Sequence, residues 1–178
     1  MCSPAAAEPA IDATTGYYSR PRLAALVPAE LAAAEAAHEP LALVCVRLDH
    51  YRDLRDFRGL EGSESVVRTV ARRLKRTLGP DDLAFRLAPD LLAVTLRGRD
   101  TRTVRTWTQE AAHEVTGQLI DRHRQTLSFG CAAYPPLHDA RTLLDEALAA
   151  LAAPAATELV LAPAAVAADR ELPLAVAT

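Results

Sequence analysis

The side chains best able to do chemistry lie in two short stretches, Arg47-Leu48-Asp49-His50 and the segment Phe85 to Leu96, FRLAPDLLAVTL. Asp49 and His50 place a carboxylate beside an imidazole, donor types that divalent cations accept. An aspartate at the end of a strand equally serves as N-cap of the helix that follows it. In the second stretch two apolar runs, Phe85–Leu87 and Leu91–Leu96, flank a turn in which Pro89 fixes φ and Asp90 follows. That pattern predicts a β-hairpin with a carboxylate at its tip, although Pro-Asp is also ordinary turn chemistry. His38, His113, His123 and His138 have no partner at ligand spacing and read as surface residues. Trp107 reads as the core anchor of a helix rather than a platform for a base.

The chain has 178 residues and a net charge of −3, which suits one domain of ordinary size with loose ends. That charge argues against nucleic acid, which calls for a basic domain or stripe. The arginines read as solvated faces. Cys2, Cys45 and Cys131 are far apart with no metal-ligand spacing, and Cys45 and Cys131 lie in apolar runs as small core residues. No apolar run approaches the roughly 18 residues of a membrane span, and no leader pattern opens the chain, so a cytoplasmic protein without a membrane partner is expected.

The elements that must position these residues follow from periodicity. Residues 1–11 read as a disordered lead, and the fold begins at Asp12. Pro21 opens a helix to about Ala37, with a kink or break expected at Pro28. Leu41–Val46 is a continuous apolar run and predicts a central strand. Residues 50–58 suit a short helix ended by Gly59 in a left-handed cap. From Glu61 to Leu78, Val66, Val70, Leu74 and Leu78 form one helical stripe with Arg68, Arg72, Arg73, Lys75 and Arg76 on the other faces. After the hairpin come a helix with Val104, Trp107, Ala111 and Val115 inward, a strand over 125–135, a helix over 140–152 and an edge strand over 158–161. Residues 163–178 read as a flexible tail. The order β-α-α-β-β-α-β-α-β after the leading helix predicts an α+β sandwich, a mixed sheet with helices on both faces.

Four segments in order resemble the GGDEF (diguanylate cyclase) family over residues 12–162. Asp12-Ala-Thr-Thr15-Gly16-Tyr-Tyr-Ser-Arg20 is similar to its entry motif Asp-x-Leu-Thr-Gly-Leu-x-Asn-Arg. Arg47-Leu48-Asp49-His50-Tyr51-Arg52 is similar to Asp-x-Asp-His-Phe-Lys. Thr126-Leu-Ser-Phe-Gly130-Cys-Ala-Ala-Tyr134-Pro135 resembles Val-Ser-Ile-Gly-Val-Ala-x-Tyr-Pro. The signature hairpin Gly-Gly-Asp/Glu-Glu-Phe falls on Ala88, Pro89, Asp90, Leu91 and Leu92. The resemblance implies a palm-like sheet of the nucleotidyl-cyclase type.

Residue by residue, the resemblance implies a site emptied of its chemistry. Family members join two GTP molecules by attack of a 3′-hydroxyl on an α-phosphate, with cations held by carboxylates. The two metal positions fall on Arg47, which cannot ligate a metal, and Asp90. The guanine positions fall on Arg55 and Glu64, and the phosphate-gripping pair on Ala152 and Ala156. The inhibitory Arg-x-x-Asp becomes Gly79-Pro80-Asp81-Asp82, keeping only Asp82. No catalytic residue, bound metal or cofactor is therefore expected. Arg47 is expected to pair with Asp90 in the metal's place. The function implied is a catalytically inactive regulatory or protein-interaction module in bacterial signalling, its partner a protein, with homodimerisation open. GTP and cyclic di-GMP are not expected as ligands. The alternative is a nucleotide sensor, or a cyclase with a rebuilt site, either of which would take Mg2+.

Overall fold

A computed structural model describes residues 9–120, 122–134, 139–153 and 160–161. The elements are β1 (Tyr18–Ser19), α1 (Arg20–Ala37), β2 (Leu41–Leu48), α2 (Tyr51–Lys75), β3 (Leu83–Ala88), β4 (Leu91–Arg97), α3 (Thr101–Thr116), β5 (Leu127–Tyr134), α4 (Ala140–Leu151) and β6 (Val160–Leu161). Outside the described residues lie most of the expected lead, His138, Ala156 and the tail.

One mixed sheet runs in the order β1-β3-β4-β2-β5-β6. β2 pairs antiparallel with both β4 and β5, while β1 joins β3 and β6 joins β5 in parallel. The apolar run at Leu41 therefore becomes the central strand, buried on both faces as a continuous hydrophobic segment should be. Side chains alternate across it. Ala42, Val44, Val46 and Leu48 meet α2 and α3 through Val66, Val70, Leu74, Val104 and Trp107. Leu41, Leu43 and Cys45 meet α1 and α4 through Val27, Leu31, Leu143 and Leu151. The predicted sandwich with helices on both faces is the observed one.

Gly130 on β5 lets α4 approach. A Cβ there would overlap the carbonyl of Ala147 and the amide of Leu151, so only glycine permits this helix-to-sheet distance. α3 and α4 each begin on an aspartate, Asp100 and Asp139, whose carboxylates accept the amides of Thr103 and Thr142, both at 2.8 Å. Trp107 is 2% exposed, as a core anchor should be, and its indole donates to the Thr77 carbonyl at 3.0 Å.

Several local expectations are corrected. α1 runs through Pro28 without a break; Leu23, Val27 and Leu31 pin both halves to the same core, and the proline sits on the exposed face. Order begins before Asp12, because Ser19 N donates to Ala10 O and Ile11 bridges Tyr18. Gly59 does divide α2, with φ 70° and ψ −175°, an extended glycine-only conformation rather than an ordinary left-handed cap. Arg73, assigned to a solvated face, is 9% exposed and donates to Val115 O at 2.7 Å and Gln118 O at 2.8 Å. Its guanidinium thereby caps the negative end of α3.

Candidate functional site

The end of β2 and the hairpin tip are fastened together. Leu48 N donates to Asp90 O at 2.9 Å, and Arg47 stands opposite Leu91 in the strand register. The hairpin turn is the two residues Pro89-Asp90. Proline excludes the primed turns that suit two-residue hairpins, and a register shift between Arg86 and Ala88 absorbs the mismatch. Beside the tip lies a depression of about 420 Å3 lined by Arg47, Asp49, His50, Arg52, Asp90 and Ser128, among others.

Arg47 does not pair with Asp90. Its guanidinium donates to Leu151 O, at the end of α4, across a long 3.5 Å. Strand alternation aims position 47 at the α1/α4 face, where Leu91 and Leu151 pack. The last turn of α4 carries no basic residue of its own, so Arg47 supplies the cation that a helix C-terminus attracts. Asp90 makes no ion pair among the described residues. Leu91 is half-buried and Leu92 fully buried, so those two positions of the hairpin serve the core.

Asp49 is not the N-cap of α2. Its Oδ1 accepts from Ser128 Oγ at 2.6 Å, tying β2 to β5. The N-cap is His50, in the left-handed region at φ 56°, with its ring 3.7 Å from Asp53 and both side chains exposed. Asp49 and His50 thus point to different partners. Among the described residues no three His, Cys, Asp or Glu side chains converge as metal ligands do.

Of the two residues expected at guanine positions, Arg55 is exposed on the first part of α2, whereas Glu64 is gripped. Arg86 donates Nη2 to Glu64 Oε1 at 2.7 Å and Nη1 to Oε2 at 2.9 Å. The same Nη1 reaches Asp12 Oδ1 at 3.2 Å, and Nη2 reaches Pro89 O at 3.1 Å. Thr14 Oγ1 adds a 2.6 Å bond to Glu64. The guanidinium holds the Glu64 carboxyl below its usual range, helped by Thr14, against the opposing effect of burial. Burial likewise opposes the charge on Asp12, but bonds from Thr15 and Arg86 outweigh it and lower its pKa. Sequence reasoning missed this knot of entry turn, α2 and hairpin. Its only signal was Arg86 standing two residues before the signature.

Asp82, expected at the inhibitory position, also finds its partners within the chain. Asp82 accepts from Gly79 N at 2.7 Å, Arg97 N at 3.2 Å and Arg99 Nη2 at 2.8 Å, and its side chain is 4% exposed. Ala152 is an exposed C-cap of α4 with no polar side chain to offer.

The family described as "Diguanylate cyclase, GGDEF domain" matches residues 9–157. The chain belongs to the GGDEF family. It is 31% identical over 111 residues to a signaling protein of Caulobacter vibrioides, an alignment spanning 62% of this chain and 13% of that one. The GGDEF domain of DgcB from Caulobacter crescentus, solved with c-di-GMP, superposes with a TM-score of 0.81 at 22% identity, covering 92% of this chain and 97% of that one. A sensory box/GGDEF family protein from Caulobacter crescentus matches at 26% identity and a TM-score of 0.73, over 80% of this chain and 96% of the other. The palm-like α+β fold inferred above from four short motifs is the fold these GGDEF domains share. No described helix is long and apolar enough to cross a membrane.

Proposed function

We propose that this GGDEF domain makes no cyclic di-GMP and acts instead as a regulatory, protein-binding module in bacterial signalling. The observation that carries the reading is Arg47: a permanent cation stands at the family's first metal position and leans on the α4 terminus. A divalent cation needs several converging hard oxygens. Among the described residues the carboxylates lining the depression at this end of β2 are Asp90 and an Asp49 already committed to Ser128, so they do not fit a catalytic Mg2+.

The remaining contacts support the same reading. Glu64 is spent on Arg86, so it is not displayed to a base, and Arg55 offers no acceptor. Ala152 supplies no charge to a triphosphate. Asp82 has its acceptors filled by the chain itself, so the inhibitory position has no free carboxylate for a guanine edge. A scaffold kept intact while these contacts are lost is a scaffold kept for its surface.

Calorimetric titration of GTP and of cyclic di-GMP, with and without Mg2+, tests this. The reading predicts no saturable heat. Saturable micromolar binding would assign the site to a nucleotide sensor instead.

A further inference from the structure

The second part of α2 carries Arg68, Arg72 and Lys75, all exposed, and none forms an ion pair among the described residues. Successive helical residues advance by about 100°, which places the three within about 60° of arc and along about 10 Å of helix. Like charges three and four residues apart on a helix repel one another. Among the described residues no acid pairs with this ridge. Glu64, one turn before Arg68, is bound by Arg86, while Glu114 is bound by Arg76. Asp82, beyond the end of α2, is taken by Gly79, Arg97 and Arg99.

The ridge borders a groove. Between the entry turn and the end of α2 lies a hollow of about 470 Å3, walled by Ile11, Tyr18, Leu78 and Pro80, with Lys75 on its lip. Ile11 is 46% exposed there, a large apolar side chain without cover. The floor is firm: Tyr17 is 3% exposed and its hydroxyl donates to Ala71 O at 2.7 Å. A row of unneutralised cations beside a hollow of mixed polar and apolar lining, with Ile11 exposed on its wall, is complementary to a segment with carboxylates on one edge and apolar side chains on the next.

We infer that this surface docks an acidic, amphipathic helical segment of a partner protein, its carboxylates on Arg68, Arg72 and Lys75 and its apolar stripe in the groove at Ile11 and Leu78. The ridge is too short, on a chain of net charge −3, for the extended phosphate contacts of a nucleic acid. The inference rests on the protein-binding reading above and names the class of partner.

The test is fluorescence anisotropy with a panel of labelled synthetic helical peptides. Each sets Glu pairs at i, i+4 beside a Leu/Phe stripe in a different register, and each is paired with a scramble of the same composition. At least one peptide should bind about tenfold tighter than its scramble. The Arg68→Glu/Arg72→Glu protein should lose about tenfold of that affinity, and the wild type should weaken between about 0.05 and about 0.3 M salt. Ile11→Asp, which leaves the ridge intact, should weaken the same peptide. Arg72→Gln repeats the test with the fold least disturbed, circular dichroism confirming each variant. The inference is overturned if no peptide exceeds its scramble, if the charge-reversed and Arg72→Gln proteins bind as well as the wild type, or if an oligonucleotide or an anionic vesicle binds more tightly than the best peptide. A failed panel removes this surface and leaves the loss of cyclase contacts standing, whereas GTP turnover removes that loss and leaves the surface standing.

Discussion

Arg86 holds Glu64 in a two-pronged ion pair, 2.7 and 2.9 Å, and with the same guanidinium reaches Asp12. One residue thus joins the entry turn, α2 and the signature hairpin, and its side chain is only 11% exposed. Charge-assisted, two-pronged contacts of this kind are the strong ones. Arg86→Ala would leave two carboxylates facing each other without a cation, at a cost on the order of 3 kcal/mol. Urea denaturation should register that loss as a lower midpoint. Arg86→Lys should recover only part of it, since an ammonium cannot span both oxygens of Glu64.

The same knot sets an acid limit. Glu64 and Asp12 both ionise below their ordinary values of 4.5 and 3.8. The unfolded chain therefore takes up protons first, and stability is fully present above the ordinary values and lost as pH falls through the lower, folded ones. Thermal melts should be flat in this respect above about pH 5 and fall below it. In Glu64→Gln the fall should be shallower, because one of the linked carboxyls is gone.

Gly130→Ala should be costly for a steric reason. The new methyl meets the α4 backbone at Ala147 and Leu151, and neither can yield without lifting the helix from β5. Overpacking of this kind costs about 1–3 kcal/mol. Because Arg47 leans on Leu151, the substitution should also free that guanidinium. A chemical-denaturation midpoint equal to wild type would contradict the packing described here.

Cys45 and Cys131 are buried on β2 and β5, and burial pushes both thiols up to about 12. Only the thiolate reacts, so both should be inert in the folded protein. A Cys2→Ser protein treated with a thiol reagent near pH 8 should release colour only on unfolding, and then from both cysteines.

The sequence carried the fold well where periodicity was strong. The apolar run at Leu41, the stripe from Val66 to Leu74 and the alternation around the hairpin each have one physical solution. It carried the site poorly because a site depends on side-chain direction across strands. Arg47 stands opposite Leu91, the residue after Asp90, yet alternation turns Arg47 toward the α4 terminus. Asp49 looked like a helix cap because Ser128, its true partner, is 79 residues away. Arg73 looked solvated for the same reason, its acceptors lying at the end of α3 and just beyond it. The short β1 carries no pattern of its own, since two residues gain their strand geometry only by pairing with β3.

The proposed loss of catalysis does not rest on one residue. On this reading Arg47→Asp would put a carboxylate at the expected metal position, but Ala152 would still give the phosphates no cation and Glu64 would remain bound to Arg86. That variant should make no cyclic di-GMP either. Its stability should change by no more than about 1 kcal/mol, as expected for a long, half-exposed contact.

Incubation of the purified protein with GTP and Mg2+, followed by chromatographic detection of cyclic di-GMP, tests the central claim most directly. The protein should form no product above a buffer control at any concentration tried. Product formed above that control, and abolished by Asp90→Ala, would contradict it.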